Sequence, residues 1–271
     1  MESLKELNKI CQKPRYKEVG NWMVRYLLRD AAIPITWLLL HTPITANQVT
    51  LISLVVAIAG AFCLMGPGNF LFLLGVLLLQ LWYLLDHVDG QIARYRKTAS
   101  LSGRFFDFLT HHIIHGIIFF VLGVHSFMVT GSFVFVLWGF ITALAMMVFN
   151  LSYDAKYKTF FEKIVSSSKT FKIKSFNPIS EEDEREKTQP TKTTWFRKGF
   201  ACLHKFCEIH VLMNLLTLMA ILEFFIPVLN VDFRLLSHVF YGLAVPILAA
   251  VKISYLIGKQ EIDREFERLF D

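Results

Sequence analysis

The sequence predicts an all-α integral membrane protein with six transmembrane helices and an N-terminal interfacial amphipathic helix. Three observations predict it. Hydrophobic residues make up 54% of the 271 and charged residues only 18%, against roughly a quarter in a soluble domain. The apolar residues gather in runs near the 20 or so needed to cross about 30 Å of hydrocarbon. Lys and Arg fall on alternate connections between those runs, as orientation in a bilayer requires.

Residues 1–24 read as a polar lead of mixed charge, which predicts that no cleavable signal peptide opens the chain. Residues 25–42 are apolar but interrupted by Pro34 and followed by Pro43. They are too short to span and fit an interfacial helix with Trp37 at headgroup level, or a plain connector. The six runs lie at approximately 49–66, 69–93, 104–127, 132–153, 209–229 and 234–257. Gly66, Pro67 and Gly68 turn the chain between the first two. Residues 155–205 break in composition and read as a solvated loop with the acidic run Glu181–Glu186. In the tail, Ile262, Phe266 and Leu269 are spaced as on a short amphipathic helix. The expected organisation is one membrane domain over 1–271. It comprises an N-terminal segment 1–43, spans one to four in 44–154, a loop 155–207, spans five and six in 208–258, and a tail 259–271.

The net charge is +6, and its placement is informative. Basic residues occupy the first 48 positions, 94–104, 156–205 and the tail, while the connections near 66–69 and 125–132 carry none and that near 230–234 carries only Arg234. Both termini and the 86–107 turn are therefore expected on the cytoplasmic side, facing anionic lipid. No basic stripe with interleaved aromatics suggests nucleic acid. Cys11, Cys63, Cys202 and Cys207 show neither a disulfide framework nor metal spacing.

The chemistry gathers in DHVDGQIARYRKTASLSGRFFDFLTHH, residues 86–112. Residues three and four apart share a helix face, so Asp86, Asp89 and Ala93 form one stripe, with Arg94 one step round. Gly103, Asp107, His111 and His115 form a second stripe across the turn. Facing each other, the stripes bring three carboxylates and an imidazole together at the membrane surface. Buried carboxylates must be paired or bind metal, and an oxygen-rich shell with open positions suits Mg²⁺ or Mn²⁺ beside phosphate. Gly90 and Gly103 leave room for close approach, and Arg94 offers a fixed cation for phosphate or carboxylate.

The pattern Asp86-x2-Asp89-Gly90-x2-Ala93-Arg94-x8-Gly103-x3-Asp107-x3-His111 resembles the signature of the CDP-alcohol phosphotransferases at seven of eight fixed positions. Upstream, Ala46-Asn47-Gln48-Val49-Thr50 resembles that family's approach to its first span. The resemblance covers residues 25–127 well. It implies a six-span, homodimeric membrane enzyme that moves a substituted phosphate from a CDP-linked alcohol, such as CDP-diacylglycerol, to an acceptor hydroxyl and releases CMP. The acceptor would be an alcohol or a phosphorylated polyol. It further implies two divalent ions, Mg²⁺ or Mn²⁺, held by Asp86, Asp89, Asp107 and His111. Asn47, Thr50, Gly90, Ala93, Arg94 and Gly103 would line the cytidine-diphosphate pocket.

His111 departs from the family pattern, which has aspartate there. Either the imidazole serves as general base and favours an ion that accepts nitrogen, or the chain binds CDP-nucleotide or lipid without transfer. A transporter is a third class, weakened because the polar residues gather at one end. His112 either serves a neighbour or faces a partner helix, and His115 is either a hydrogen-bond partner of the site or an interhelical packing residue. Glu223 reads as mid-span, pairing across a dimer or lining an acceptor cavity. Lys252 either snorkels or binds an acceptor phosphate. His204, Glu208 and His210 fit no metal motif.

Overall fold

The computed structural model describes residues 2–12, 23–167, 171–172, 195–226, 228 and 231–270. All regular elements among them are helical. Helix α1 runs Leu4–Cys11, and α2 runs Arg29–Leu40 behind a π-helical turn over Val24–Leu28. The long helices follow as α3 Ala46–Met65, α4 Asn69–Tyr95, α5 Leu101–Thr130 and α6 Val134–Ser166. After them come α7 Trp195–Cys207, α8 Ile209–Phe225, α9 Phe233–Gly258 and α10 Glu261–Leu269.

Five of these, α3, α4, α5, α6 and α9, are long and apolar enough to cross a membrane. A sixth crossing, expected as the run 209–229, depends on counting a bent pair of helices as one span. Helix α8 ends at Phe225 and has only 17 residues, about 26 Å at 1.5 Å per residue. It reaches spanning length only together with the end of α7, across a 72° bend at Glu208. The chain is a multi-pass membrane protein.

The other boundaries shift for local reasons. Helix α6 does not stop near 153 but continues to Ser166. There Lys156 is buried against Glu265 of α10 at 2.8 Å, and Phe160 packs on Phe266. The expected tail helix is thus real, and its buried residue is Phe266. The polar lead contains α1, which has a capping box between Ser3 and Glu6. Helix α2 passes through Pro34. The acidic run Glu181–Glu186 lies outside the described residues.

Bare backbone lets the central helices touch. A Cβ on Gly75 would lie 2.8 Å from the carbonyl oxygen of Gly60, and one on Gly60 would lie 2.9 Å from that of Gly75. Small residues at such crossings allow close approach where lipid offers no hydrophobic driving force. Helix α3 packs on α4 and α5, α5 on α6, and α9 against both α5 and α6, while α2 and α8 flank α4. The core holds Trp82, Phe72, Phe119 and Tyr241, all buried.

The end of the bundle away from the 86–107 turn is closed by buried polar contacts. Glu223 is two residues from the end of α8, not mid-span. It accepts from the main-chain N–H of Phe233 at 3.1 Å and lies 3.5 Å from Arg234 Nη2. Arg234, which the sequence places in an exposed connection, is 2% exposed and donates to Gly66 O at 2.7 Å. His125 Nε2 lies 2.8 Å from Asp232 Oδ2. Glu223 also lines a cavity of about 330 Å³ at this end, together with Asn69, His125, Asp232 and Arg234.

Candidate active site at the turn between helices α4 and α5

Each wall of the site is set by a local rule. Thr45 caps α3 in a capping box with Gln48, the Thr45 N–H donating to Gln48 Oε1 at 2.8 Å. That fixes the first turn, where Asn47 and Thr50 point to one side. Ser100 caps α5 by accepting from Gly103 N–H at 3.0 Å. Between them, α4 ends in a turn with Lys97 at φ 56°. Arg96 ties this turn to the α2–α3 connection by donating to Thr42 O at 2.7 Å and also to Ile44 O.

A cavity of about 440 Å³ opens here. Helix α3 supplies Asn47 and Thr50, α4 supplies Asp86, Asp89, Gly90, Ala93 and Arg94, and α5 supplies Gly103 and Asp107. Nine of the ten residues expected from the sequence therefore share one wall system. The tenth, His111, sits just behind it, with Nε2 2.9 Å from Asp86 Oδ1 and 3.5 Å from Asp107 Oδ1. The ring of Trp82 backs the imidazole at 5.3 Å between centroids.

Donor atoms of Asp86, Asp107 and His111 all lie within 4.8 Å of one another, which a single small cation can bridge. Asp107 Oδ1 is buried yet accepts no hydrogen bond. A buried carboxylate oxygen without a donor is costly, and a bound cation would satisfy it. Two carboxylates and one imidazole are a donor set that accepts Mg²⁺ and, with its nitrogen, Mn²⁺. The residues therefore fit a divalent ion. Asp89 stands outside this trio. Its Oδ2 accepts from the Thr50 hydroxyl at 2.5 Å, so Thr50 reaches a carboxylate as well as the cavity.

The two glycines act by what they leave empty. A Cβ on Gly90 would lie 3.1 Å from Arg94 Nη1, so the guanidinium lies across that bare patch of α4. A Cβ on Gly103 would come 3.3 Å from Asn47 Oδ1, so α5 closes against α3 there.

The neighbouring histidines separate. His112 turns away, 3.1 Å from Asp154 Oδ2. His115 Nδ1 lies 3.2 Å from Asn150 Nδ2, which supports the interhelical packing reading. Lys252 donates to Phe149 O at 3.2 Å and lies 3.9 Å from the centre of its ring. His204 and His210 both approach Glu208, at 3.6 and 3.3 Å.

The sequence reading missed several cavity residues: His87, Gln91, Ser100 and Arg104, and from the N-terminal segment Gln12 and Arg29. Arg104 follows a signature glycine and His87 follows a signature aspartate, so position alone could have flagged both. Gln12 and Arg29 carry no such signal.

A search of curated proteins finds no match to the chain. A family model does match, that of CDP-alcohol phosphatidyltransferase, over residues 43–179. That match holds every signature residue named above and half of the sequence. The chain belongs to the CDP-alcohol phosphatidyltransferase family, whose members transfer a phosphate-alcohol group from a CDP-alcohol.

Proposed function

We propose that this chain transfers a substituted phosphate from a CDP-linked alcohol to an acceptor hydroxyl, releasing CMP, in the synthesis of a phospholipid or related polar lipid. One observation carries the reading: the convergence of Asp86, Asp107 and His111 within 4.8 Å beside a cavity lined by the signature residues. Asp86 and Asp107 would hold one divalent ion and Asp89 would help hold a second, with the His111 imidazole beside the first as the proton acceptor. Once bound, two Mg²⁺ or Mn²⁺ ions would neutralise the donor pyrophosphate and polarise its phosphorus.

The protein's own groups do the rest. Arg94 offers a fixed guanidinium to a phosphate oxygen. Thr50 holds Asp89 in one rotamer by its hydrogen bond. Gly90 leaves room for the Arg94 guanidinium to lie along the cavity wall, and Gly103 lets Asn47 close in from α3. As the acceptor oxygen bonds to phosphorus and the bond to CMP breaks, the hydroxyl proton passes to His111, and CMP leaves as a phosphate monoester. Reactants held in this geometry need little further help.

The remaining features follow from the same reading. One membrane domain, working as a homodimer, places its site and both termini on the cytoplasmic side. Arg94, Arg96, Lys97, Arg104 and Lys156 all lie toward the site end, whereas the other end has Arg234, which is buried. The donor lipid would approach from the leaflet and the acceptor, an alcohol or phosphorylated polyol, from water.

The test is purified protein in lipid nanodiscs with an array of CDP-donors and acceptors, Mg²⁺ or Mn²⁺, and mass detection of product and CMP. His111→Ala should lower transfer by about 10²–10⁴-fold, the usual contribution of a general base, while CDP still binds. Loss of CDP binding along with transfer would make His111 a metal ligand instead. CDP binding by the wild type with no transfer to any acceptor would identify a binding protein.

A further inference from the structure

Helix α1 lies outside residues 43–179, the part matched by the family. It nevertheless reaches the cavity. Arg94 Nε donates to the main-chain carbonyl of Cys11, the last residue of α1. The side chain of Gln12 lines the cavity and donates to Arg29 O at 3.3 Å. Gln91 of α4 donates to the same oxygen at 2.9 Å and is held in turn by the Thr36 hydroxyl at 2.6 Å. The N-terminal segment is therefore latched to the signature helix at the level of the site.

The docking of α1 has its own supports. Leu7 and Cys11 are fully buried and pack with Ile33. Tyr95 donates to Glu2 Oε2 at 2.7 Å, and Asn8 Nδ2 donates to Asp30 Oδ1 at 3.2 Å. The carbonyl end of a helix carries partial negative charge, so it holds a guanidinium and fixes its direction. With Nε occupied, the N–H groups of Nη1 and Nη2 remain to grip an anion in fork geometry. They lie over Gly90, on the cavity wall.

We propose that α1 is a working wall of this site, its Cys11 carbonyl acting to position Arg94 for the diphosphate of a nucleoside diphosphate, so that docking of α1 and binding of that ligand strengthen each other. The inference rests on the proposed function for the identity of the ligand, but not for the link between α1 and Arg94. Coupling of this kind is reciprocal: whatever factor α1 docking adds to ligand affinity, the ligand adds to docking.

Cys11 reports docking directly. Its thiol is buried, and that burial pushes it up to about 11, against the opposing pull of the nearby Arg94. Alkylation therefore requires α1 to lift. The experiment is maleimide labelling of the full chain in nanodiscs, with the rate at Cys11 read by mass spectrometry and exposed Cys202 as the internal control. CDP with Mn²⁺ should slow labelling of Cys11 about tenfold, a typical coupling factor, and leave Cys202 unchanged. Arg94→Ala should speed labelling of Cys11 without nucleotide and abolish its response to CDP. Leu7→Glu, which unseats α1, should weaken CDP binding about tenfold by the same reciprocity and add nothing in the Arg94→Ala background. Unchanged Cys11 labelling in Arg94→Ala, or independent effects of the two variants on CDP affinity, would overturn the positioning role while the proposed function stood. A wild type that binds no CDP would overturn the ligand and the proposed function together, and the labelling of Arg94→Ala would still decide whether α1 and Arg94 are linked.

Discussion

Thr50→Val tests the site at one hydrogen bond. The substitution keeps the shape of a side chain that is 4% exposed and removes only the hydroxyl. One hydroxyl hydrogen serves Asp89 Oδ2 at 2.5 Å and, more weakly, Ala46 O at 3.1 Å. A hydrogen bond to a charged group contributes about 1.5–3 kcal/mol. Loss of an outer partner of a metal ligand costs about 10–100-fold in metal affinity, or about 1.4–2.8 kcal/mol at 1.4 kcal/mol per decade. The two routes agree, so the Mn²⁺ concentration for half-maximal CMP release should rise by about 10–100-fold. The maximal rate at saturating Mn²⁺ should recover most of its wild-type value. The assay is a Mn²⁺ titration of CMP release, paired with CDP binding at saturating metal. An unchanged Mn²⁺ titration with weakened CDP binding would refute the reasoning and return Thr50 to the nucleotide wall that the sequence first suggested.

Two further outcomes follow from the scaffold. Gly75→Val must push α4 off α3, because even a Cβ there would lie 2.8 Å from Gly60 O. Overpacking of this kind costs about 1–3 kcal/mol, read as a lowered melting temperature in detergent. Asp232 titrates against the fold at the far end. Burial alone would raise its carboxyl, but His125, the main-chain N–H of Leu235 and the charge of Arg234 together hold it down to about 2. A folded value below the unfolded value of about 3.9 contributes stability that is full above pH of about 4 and disappears as the pH falls through 2. The contribution is on the order of 2 kcal/mol. The melting temperature of wild type should therefore exceed that of Asp232→Asn at pH 6, and the gap should close near pH 2. A gap that stays constant with pH would remove Asp232 from the account.

Much of the site was legible because its spacing is helical. Asp86 and Asp89 lie three apart, and Gly103, Asp107 and His111 recur every four, so two antiparallel helices sufficed to bring them together. What lay beyond one helix face was not legible. The hydrogen bond from Thr50 to Asp89 joins residues 39 apart, and no local pattern encodes it. The same holds for Lys156 with Glu265, whose pairing carries α6 past its expected end. Glu223 was misplaced because hydropathy saw an unbroken apolar run, whereas Asp232, capping α9, and Arg234, holding Gly66, fix where the chain turns. Helix α1 did leave a trace, a Ser3 and Glu6 capping box before Leu4, Leu7 and Cys11, which an emphasis on apolar runs passes over.

The buried ion pair of Glu223 with Arg234 has a consequence for anyone mapping this protein by saturation mutagenesis. Stripping one partner from a buried ion pair forfeits about 3–5 kcal/mol, enough to empty the folded population of a marginally stable protein. Such a map would therefore light up at both ends of the molecule. The second hot zone lies about 26 Å from the first, judged from 17 residues of helix between Asn69 and Asp86. Growth or product yield alone would score the two zones alike. Normalising each variant to the amount of protein that survives in the membrane would dim one zone and leave the other bright.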